Sequence, residues 1–487
     1  MNLRIVLPAL LCLLPSMAHG AALWSVGGAT VTTAATDQLM AHGYGASAPD
    51  QSGGIYVVWA DSRNLATTGI NVYAQHLDSN GSPVSGWPAN GLQITTTRSG
   101  TCINNFGSRD AICPGVTGDG AGGAFITWQD WRNNIPQAFA QRVNSAGTAL
   151  WAAGGVLVAT APATGRDMAG GPILTSEGSM FVIIYDSAPL VDGGLIWRVQ
   201  KLNPSDGAQL FGTEGKVITT TTIQSFTGAA FPLPDSSGGF FYAWGDRRAG
   251  IEDSNAYAFR VDSNGNRTWE IVLSSAANNQ GLGIVTTGDD AGGFYAVWTD
   301  SRAGGTEVDI YGTRVKPDGT AYSGWTIGAT GGNAVAVSTG WQYTHEIDHF
   351  GNDLLAVWWD LHDGALAQKI KAQRISGATG SALWTADGVS LIAPTAALAT
   401  TLAAPVIRVS SNSIFAGFSW GSINLGCGSV CSSEVAVGQA LSPTDGSILF
   451  SSTGTYLGPI GQDSNYLPRA FQAVASTGDA SAIFAWI

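Results

Sequence analysis

Positive charge is scarce in this chain: Lys and Arg together number 22 in 487 residues, against 35 Asp and Glu. The net charge of −13 argues against nucleic acid and anionic membrane as partners, since both need a cationic surface. Charged residues of both signs make up only 12%, with 45% hydrophobic residues and 65 Gly, which excludes a disordered, collagen-like or coiled-coil chain. Past the first twenty residues no apolar run approaches the eighteen or so that a membrane span needs. Convincing helical periodicity is lacking throughout, and no GxSxG, Walker or dinucleotide motif stands in a supporting context. No cofactor is implied.

Cysteine is rare as well, at five residues. The first, Cys12, lies in a segment with Arg4, the apolar stretch Ile5 to Leu14, Pro15, and Ala18-His19-Gly20, the layout of a secretory signal. Cleavage after Gly20 would remove Arg4 and no acid, taking the net charge to −14. Leu11 before Cys12 is not the small residue of a lipoprotein site. The reading is a soluble protein secreted to the extracellular space or periplasm. There Cys102, Cys113, Cys427 and Cys431 are expected to form two disulfides. Of three connectivities, the close pairs 102/113 and 427/431 are favoured because each closes a short loop. A zinc site is the rival reading, though the spacings are not those of a zinc ribbon.

What is abundant is repetition. GGIYVVWADSR ends at Arg63, GGAFITWQDWR at Arg132, GGFFYAWGDRR at Arg248 and GGFYAVWTDSR at Arg302, with weaker copies ending their apolar runs at Tyr185, Trp358, Trp420 and Trp486. The eight anchors, from Trp59 and Trp128 onward, recur about every sixty residues. Each unit reads as four strands. A Gly-Gly turn precedes an apolar strand buried on both faces. An alternating strand such as 138–144 or 310–316 follows, then a tight turn such as DSNG at Asp78 and Asp262, NSAG at Asn144 or KPDG at Lys316, and a fourth strand.

Sheets of four antiparallel strands at this period predict an all-β fold, a single β-propeller. Full units fall at about 42–97, 98–161, 162–221, 222–274, 275–337, 338–397 and 398–455. Two fragments remain, 21–41 and 456–487. ALWSVGGATVTTA at 22–34 matches the fourth-strand segment ALWAAGGVLVATA at 149–161, and 471–487 matches the first two strands of a unit. Their union as a closing blade gives eight blades, with Ala29–Ala34 sharing a blade with Ile483–Trp486; seven blades with loose ends is the alternative.

The sequence resembles the bacterial secreted propeller proteins built of DGxGGAxxxWxDxR…DIYAQRVDxxG repeats, through TGDGAGGAFITWQDWR, AFAQRVNSAG, GDDAGGFYAVWTDSR and VDIYGTRV. The resemblance covers nearly all of the chain after the signal and implies an extracellular propeller, with no shared activity or defined catalytic residues.

His345-Glu346-Ile347-Asp348-His349 matches HExxH, in which two His one helical turn apart bind zinc. Aligning Trp358 with Trp128 instead places His345 on Gly115 and His349 on Asp119, in a first strand, where residues four apart stand roughly 13 Å apart and cannot share a metal. No metal is therefore expected. The recurring Asp-x-Arg reads as a structural device, the carboxylate accepting turn N–H groups and pairing with the Arg. The DSNG turns lack the acids of a calcium loop.

Ligands of propellers usually meet the loop face. The longest loops there are expected at 98–114, 340–349 and 421–433. Trp131, Trp341, Tyr343 and His345 are the expected ligand-binding residues, because the repeat does not require aromatic rings at those loops for packing. The leading reading is a monomeric, non-catalytic binding or surface-interaction protein for an extracellular glycan or protein ligand. The alternative is a hydrolase or lyase acting on polysaccharide or another polymer, through carboxylates such as Asp110, Glu346 or Asp348.

Overall fold

The computed structural model describes residues 29, 31–33, 38–39, 46–96, 114–130, 132, 135–161, 166–168, 171–186, 194–219, 223–224, 226–229, 232–248, 253–304, 307–361, 369–391, 400–410, 412–423, 432–450, 455–459, 472–475 and 482–485. Among them there is no helix. Seven antiparallel sheets of four or five strands follow in chain order, over 38–93, 115–157, 166–217, 226–274, 282–336, 342–390 and 400–459, and are numbered here as blades 1 to 7. Each runs from an inner strand outward in sequence order, as a β-propeller requires.

Burial on both faces explains why the second strand of each unit is so apolar. Phe294–Asp300 is wholly buried, Phe294, Ala296 and Trp298 facing blade 4 while Tyr295 and Val297 face blade 6. The same alternation places Trp128, Trp244 and Trp358 against the preceding blade, and Trp59 against Ala29 and Val31. Two anchors differ from the sequence reading. In blade 3 the pairing Met180↔Leu202 matches Ala124↔Val143, so Ile184 holds the Trp128 position and Tyr185 lies one residue beyond it. In blade 7 Ile414↔Leu441 does the same, so Phe418 holds that position and Trp420 falls where Asp130 stands in blade 2. A lone aromatic near the end of an apolar run misled the alignment in both cases.

Seams between blades repeat one device. The third-strand cation of a blade and an indole nitrogen near its outer turn both reach a single carbonyl of the following blade. Arg142 and Trp151 donate to Pro204 O, Arg314 and Trp325 to Gly377 O, and Arg374 and Trp384 to Pro443 O. The cation also pairs with a carboxylate of its own first turn, as Arg142 does with Asp119 and Arg314 with Asp289. Charge and hydrogen bond are both satisfied, so burying the cation costs little.

Inner strands adjoin in order: Ser47–Pro49, Gly115–Gly118, Ile173–Leu174, Leu233–Pro234, Leu282–Gly288, Gln342–Phe350 and Thr400–Ser410. The hairpin Gln472–Ala475 with Ala482–Ala485 contacts both Thr400–Ser410 and Ser47–Pro49, and so lies between blades 7 and 1. On the other side of that gap Ala29 and Val31 cover Ile55, Val57 and Trp59 of blade 1. Val156 and Val158, their matches in the 22–34 to 149–161 alignment, cover Met180, Val182 and Ile184 of blade 3 in the same way.

Candidate functional site

The site is built on the inner strand of blade 6, Gln342–Phe350. This segment was expected as a long loop from Gly340 to His349; it is a strand from Gln342 onward. Residues 421–433, also expected as loop, begin and end as strand, since Gly421 pairs with Glu434 and Ile423 with Ser432.

Pairing of Gln342–Phe350 with Asp353–Asp360 is interrupted once. Thr344 stands opposite Trp358 and Glu346 opposite Val357, so His345 is the extra residue of a β-bulge. Alternation is thereby reset. Tyr343, Glu346 and Asp348 stand opposite Trp359, Val357 and Leu355 and share the face turned to blade 7. Gln342, Ile347 and His349 share the face turned to blade 5. The bulge also moves His349 one place from the expected alignment: it pairs with Leu354 as Gly118 pairs with Ala124, leaving Phe350 at the Asp119 position.

Just above the strand, Trp341 meets Tyr343 edge to face, with ring centroids 5.8 Å apart. Trp341 is 42% exposed, among the few large apolar side chains left open, and Tyr343 is half-buried. Below them on the same face, Glu346 pairs with Arg408 of the blade 7 inner strand at 2.5 Å. Burial pushes the Glu346 carboxyl above the usual range, against the opposing pull of the Arg408 guanidinium. Asp348 accepts from the amide of Val409 at 2.7 Å and from the amide of His349 at 2.8 Å.

The other face carries His349. Its Nε2 lies 3.0 Å from Asp290 Oδ1 of blade 5, and its Nδ1 lies 3.4 Å from Asp348 Oδ1. The imidazole pKa is raised, first by the hydrogen bond to Asp348, then by the charges of Asp348 and Asp290, with burial opposing.

Of the expected ligand-binding residues, the structure brings Trp341 and Tyr343 together and puts His345 at the bulge. Trp131 lies outside the described residues, as do Asp110, Cys102, Cys113, Cys427, Cys431 and the first twenty residues. Arg408 and Asp290 were missed. The acid pair Asp289-Asp290, where other units carry Gly120, Gln51 or Ser236 second, was the available signal. Among the described residues no group of three or more His, Cys, Asp or Glu is arranged to hold a metal ion.

The Asp-x-Arg segments are structural. Trp298 Nε1 donates to Asp300 Oδ2 at 2.8 Å and the Arg302 amide to Oδ1 at 2.8 Å. The Arg302 guanidinium pairs with the same carboxylate and lies 3.7 Å over the Tyr311 ring. Asp61 and Asp246 repeat the arrangement. In the DSNG turns Asp78 Oδ1 accepts from the amides of Asn80 and Ser82, and Asp262 accepts from those of Asn264 and Asn266.

No protein-family model and no curated protein matches this chain. Among solved structures it is similar to a puromycin-hydrolysing peptidase of Mycobacterium tuberculosis, at 11% identity over 95% of this chain, with a TM-score of 0.46. The chain spans 59% of that peptidase's length. It is also similar to the subtype N11 neuraminidase-like protein of A/flat-faced bat/Peru/033/2010 (H18N11), at 11% identity over 87% of this chain and 92% of the other, with a TM-score of 0.37. A xylan beta-1,4-xylosidase from Bacillus halodurans is 12% identical over 86% of this chain and 93% of its own, with a TM-score of 0.27.

Proposed function

We propose that the chain is an exported, glycan-directed β-propeller in which Trp341 and Tyr343 hold sugar faces and Glu346 and Asp348 are the acid pair of a glycoside hydrolase. The observation that carries this reading is the bulge at His345, which sets an aromatic pair and two carboxyl groups in one line along an inner strand. Bulges re-aim side chains in this manner beside active sites.

The chemistry follows from environment. Aromatic rings desolvate the apolar faces of sugars well. Two residues apart on a strand face are about 7 Å apart at Cα, and working carboxyl pairs of glycosidases stand about 5 to 9.5 Å apart. Glu346, whose carboxyl burial pushes above the usual range, is assigned as the acid: it protonates the bridging oxygen as the C1–O bond breaks. Asp348, locked as an acceptor by two backbone amides, takes a proton from the water whose oxygen bonds C1.

A second reading, binding without turnover, is favoured by the Glu346–Arg408 pair, because a carboxylate held by a guanidinium accepts rather than donates. One experiment separates the two. Purified protein is incubated with a panel of soluble polysaccharides, with binding and reducing-end release read together. Release abolished by Glu346→Gln supports the hydrolase; binding abolished by Trp341→Ala without release in wild type supports the second reading. No binding and no release with any glycan overturns both.

A further inference from the structure

We propose that Asp290 and His349 form a proton-dependent clasp between blades 5 and 6 that positions the Asp348 carboxylate, a role that rests on the hydrolase reading of the site. Asp290 is the starting point. It has φ 56°, in the left-handed region, at a place where blade 2 carries Gly120 with φ 74°. The turns correspond atom for atom: Asp289 Oδ1 accepts from Ala291 N and Gly293 N as Asp119 Oδ1 accepts from Ala121 N and Gly123 N. Glycine satisfies this turn in blade 2 and Gln51, with φ 64°, does so in blade 1, so Asp290 bears a left-handed φ at a place where the turn does not call for a carboxylate.

What the carboxylate adds is the contact to His349 across the seam. Both imidazole nitrogens face carboxylate oxygens, Nε2 that of Asp290 and Nδ1 that of Asp348. Two acceptors call for two N–H donors, so the imidazolium satisfies both and the neutral ring only one. Thr287 Oγ1 is the remaining polar group on the blade 5 side, 3.4 Å from Nδ1. On the blade 7 side Val409 N and Arg408 hold Asp348 and Glu346. The charged ring thus ties exposed Asp290 to Asp348, and through it blades 5, 6 and 7. The His349 pKa is raised in the fold, so the clasp adds stability below the ordinary imidazole value of about 6.5 and loses it as pH climbs through the raised value.

Asp290→Gly installs the residue that blade 2 uses, and the readout is deuterium exchange at the His349 ring carbon, followed by mass spectrometry across pH. Wild type should show a His349 midpoint above the ordinary value, falling back toward it in Asp290→Gly. The variant should unfold at lower temperature than wild type at pH 6, and at the same or higher temperature at pH 9, where the strain relief alone remains. Equal midpoints in the two proteins, or a stability difference independent of pH, would overturn the clasp. These measurements need no glycan, so they stand or fall apart from the hydrolase reading. If a substrate is turned over, the same variant should shift the pH profile of kcat with KM little changed; an unshifted profile removes the positioning role.

Discussion

Glu346 and Asp300 are both shielded carboxyls beside an arginine, yet they answer differently to substitution. Asp300 is bonded by an indole, a backbone amide and a guanidinium, with no exposure at all. Asp300→Asn leaves Arg302 without its charge partner and should cost about 3 to 5 kcal/mol, as breaking a buried pair does, seen as a large fall in the denaturation midpoint. Glu346 pairs with Arg408 and its burial opposes ionisation. Glu346→Gln should therefore leave the midpoint within a few degrees of wild type while lowering any glycosidase kcat by about 10² to 10⁴. A comparable loss of stability in both variants would place Glu346 with the structural acids. At the mouth, Trp341→Ala should weaken glycan binding by about 2 kcal/mol, read by titration calorimetry. Trp341 was legible in the sequence as an aromatic ring outside the repeat's needs. Arg408 was not, because only the seam between blades 6 and 7 brings it to Glu346.

A strand of alternating faces can be reprogrammed by a single residue, and Gln342–Phe350 is such a strand. The HExxH spacing there invites a helical reading; the neighbouring Gly and Trp anchors overrule it, and the pairing with Asp353–Asp360 agrees. What sequence alone could not reveal is the bulge, since an extra residue is visible only against the register of its partner. Deleting His345 should remove the bulge and leave Thr344 opposite Trp358 and Glu346 opposite Val357, so Trp341 and Tyr343 keep the face turned to blade 7. The expected result is a folded protein that still binds glycan, with Trp341 still modified by a water-soluble indole reagent. Loss of modification and binding would show that the face depends on the bulge itself. The Tyr185 and Trp420 misassignments have the same origin: aromatic identity was a weaker guide to register than hydrogen-bond pairing.

At the scale of the whole ring, period and composition were sufficient to read an all-β propeller, since the period depends on pattern rather than on individual contacts. The seam contacts were beyond that reading, because the indoles of Trp87, Trp151, Trp325 and Trp384 look like ordinary core residues until a carbonyl of the next blade is found 2.8 to 3.2 Å away. Removing residues 472–487 takes away the hairpin between blades 7 and 1. Their loss should lower the unfolding temperature of all seven blades together, by calorimetry; an unchanged transition would show that closure is not part of the cooperative unit.

The seam device runs one way only. Blades 1 to 6 each give donors to a carbonyl of their successor, from Trp87, Trp151, Lys201, Trp269, Trp325 and Trp384, so these seams share one sense of rotation with the chain. In blade 7 Ala440 and Phe450 stand where blade 6 has Arg374 and Trp384. Opened at the hairpin, the ring ends in two unlike surfaces, one on blade 7 and one on blade 1 with Ile55, Val57 and Trp59. The geometry is that of a head-to-tail interface, which closes on itself within one molecule or propagates between molecules. The truncated protein should therefore associate end to end, its mass in light scattering rising with concentration, while the intact chain, whose hairpin lies between Thr400–Ser410 and Ser47–Pro49, should show no such rise.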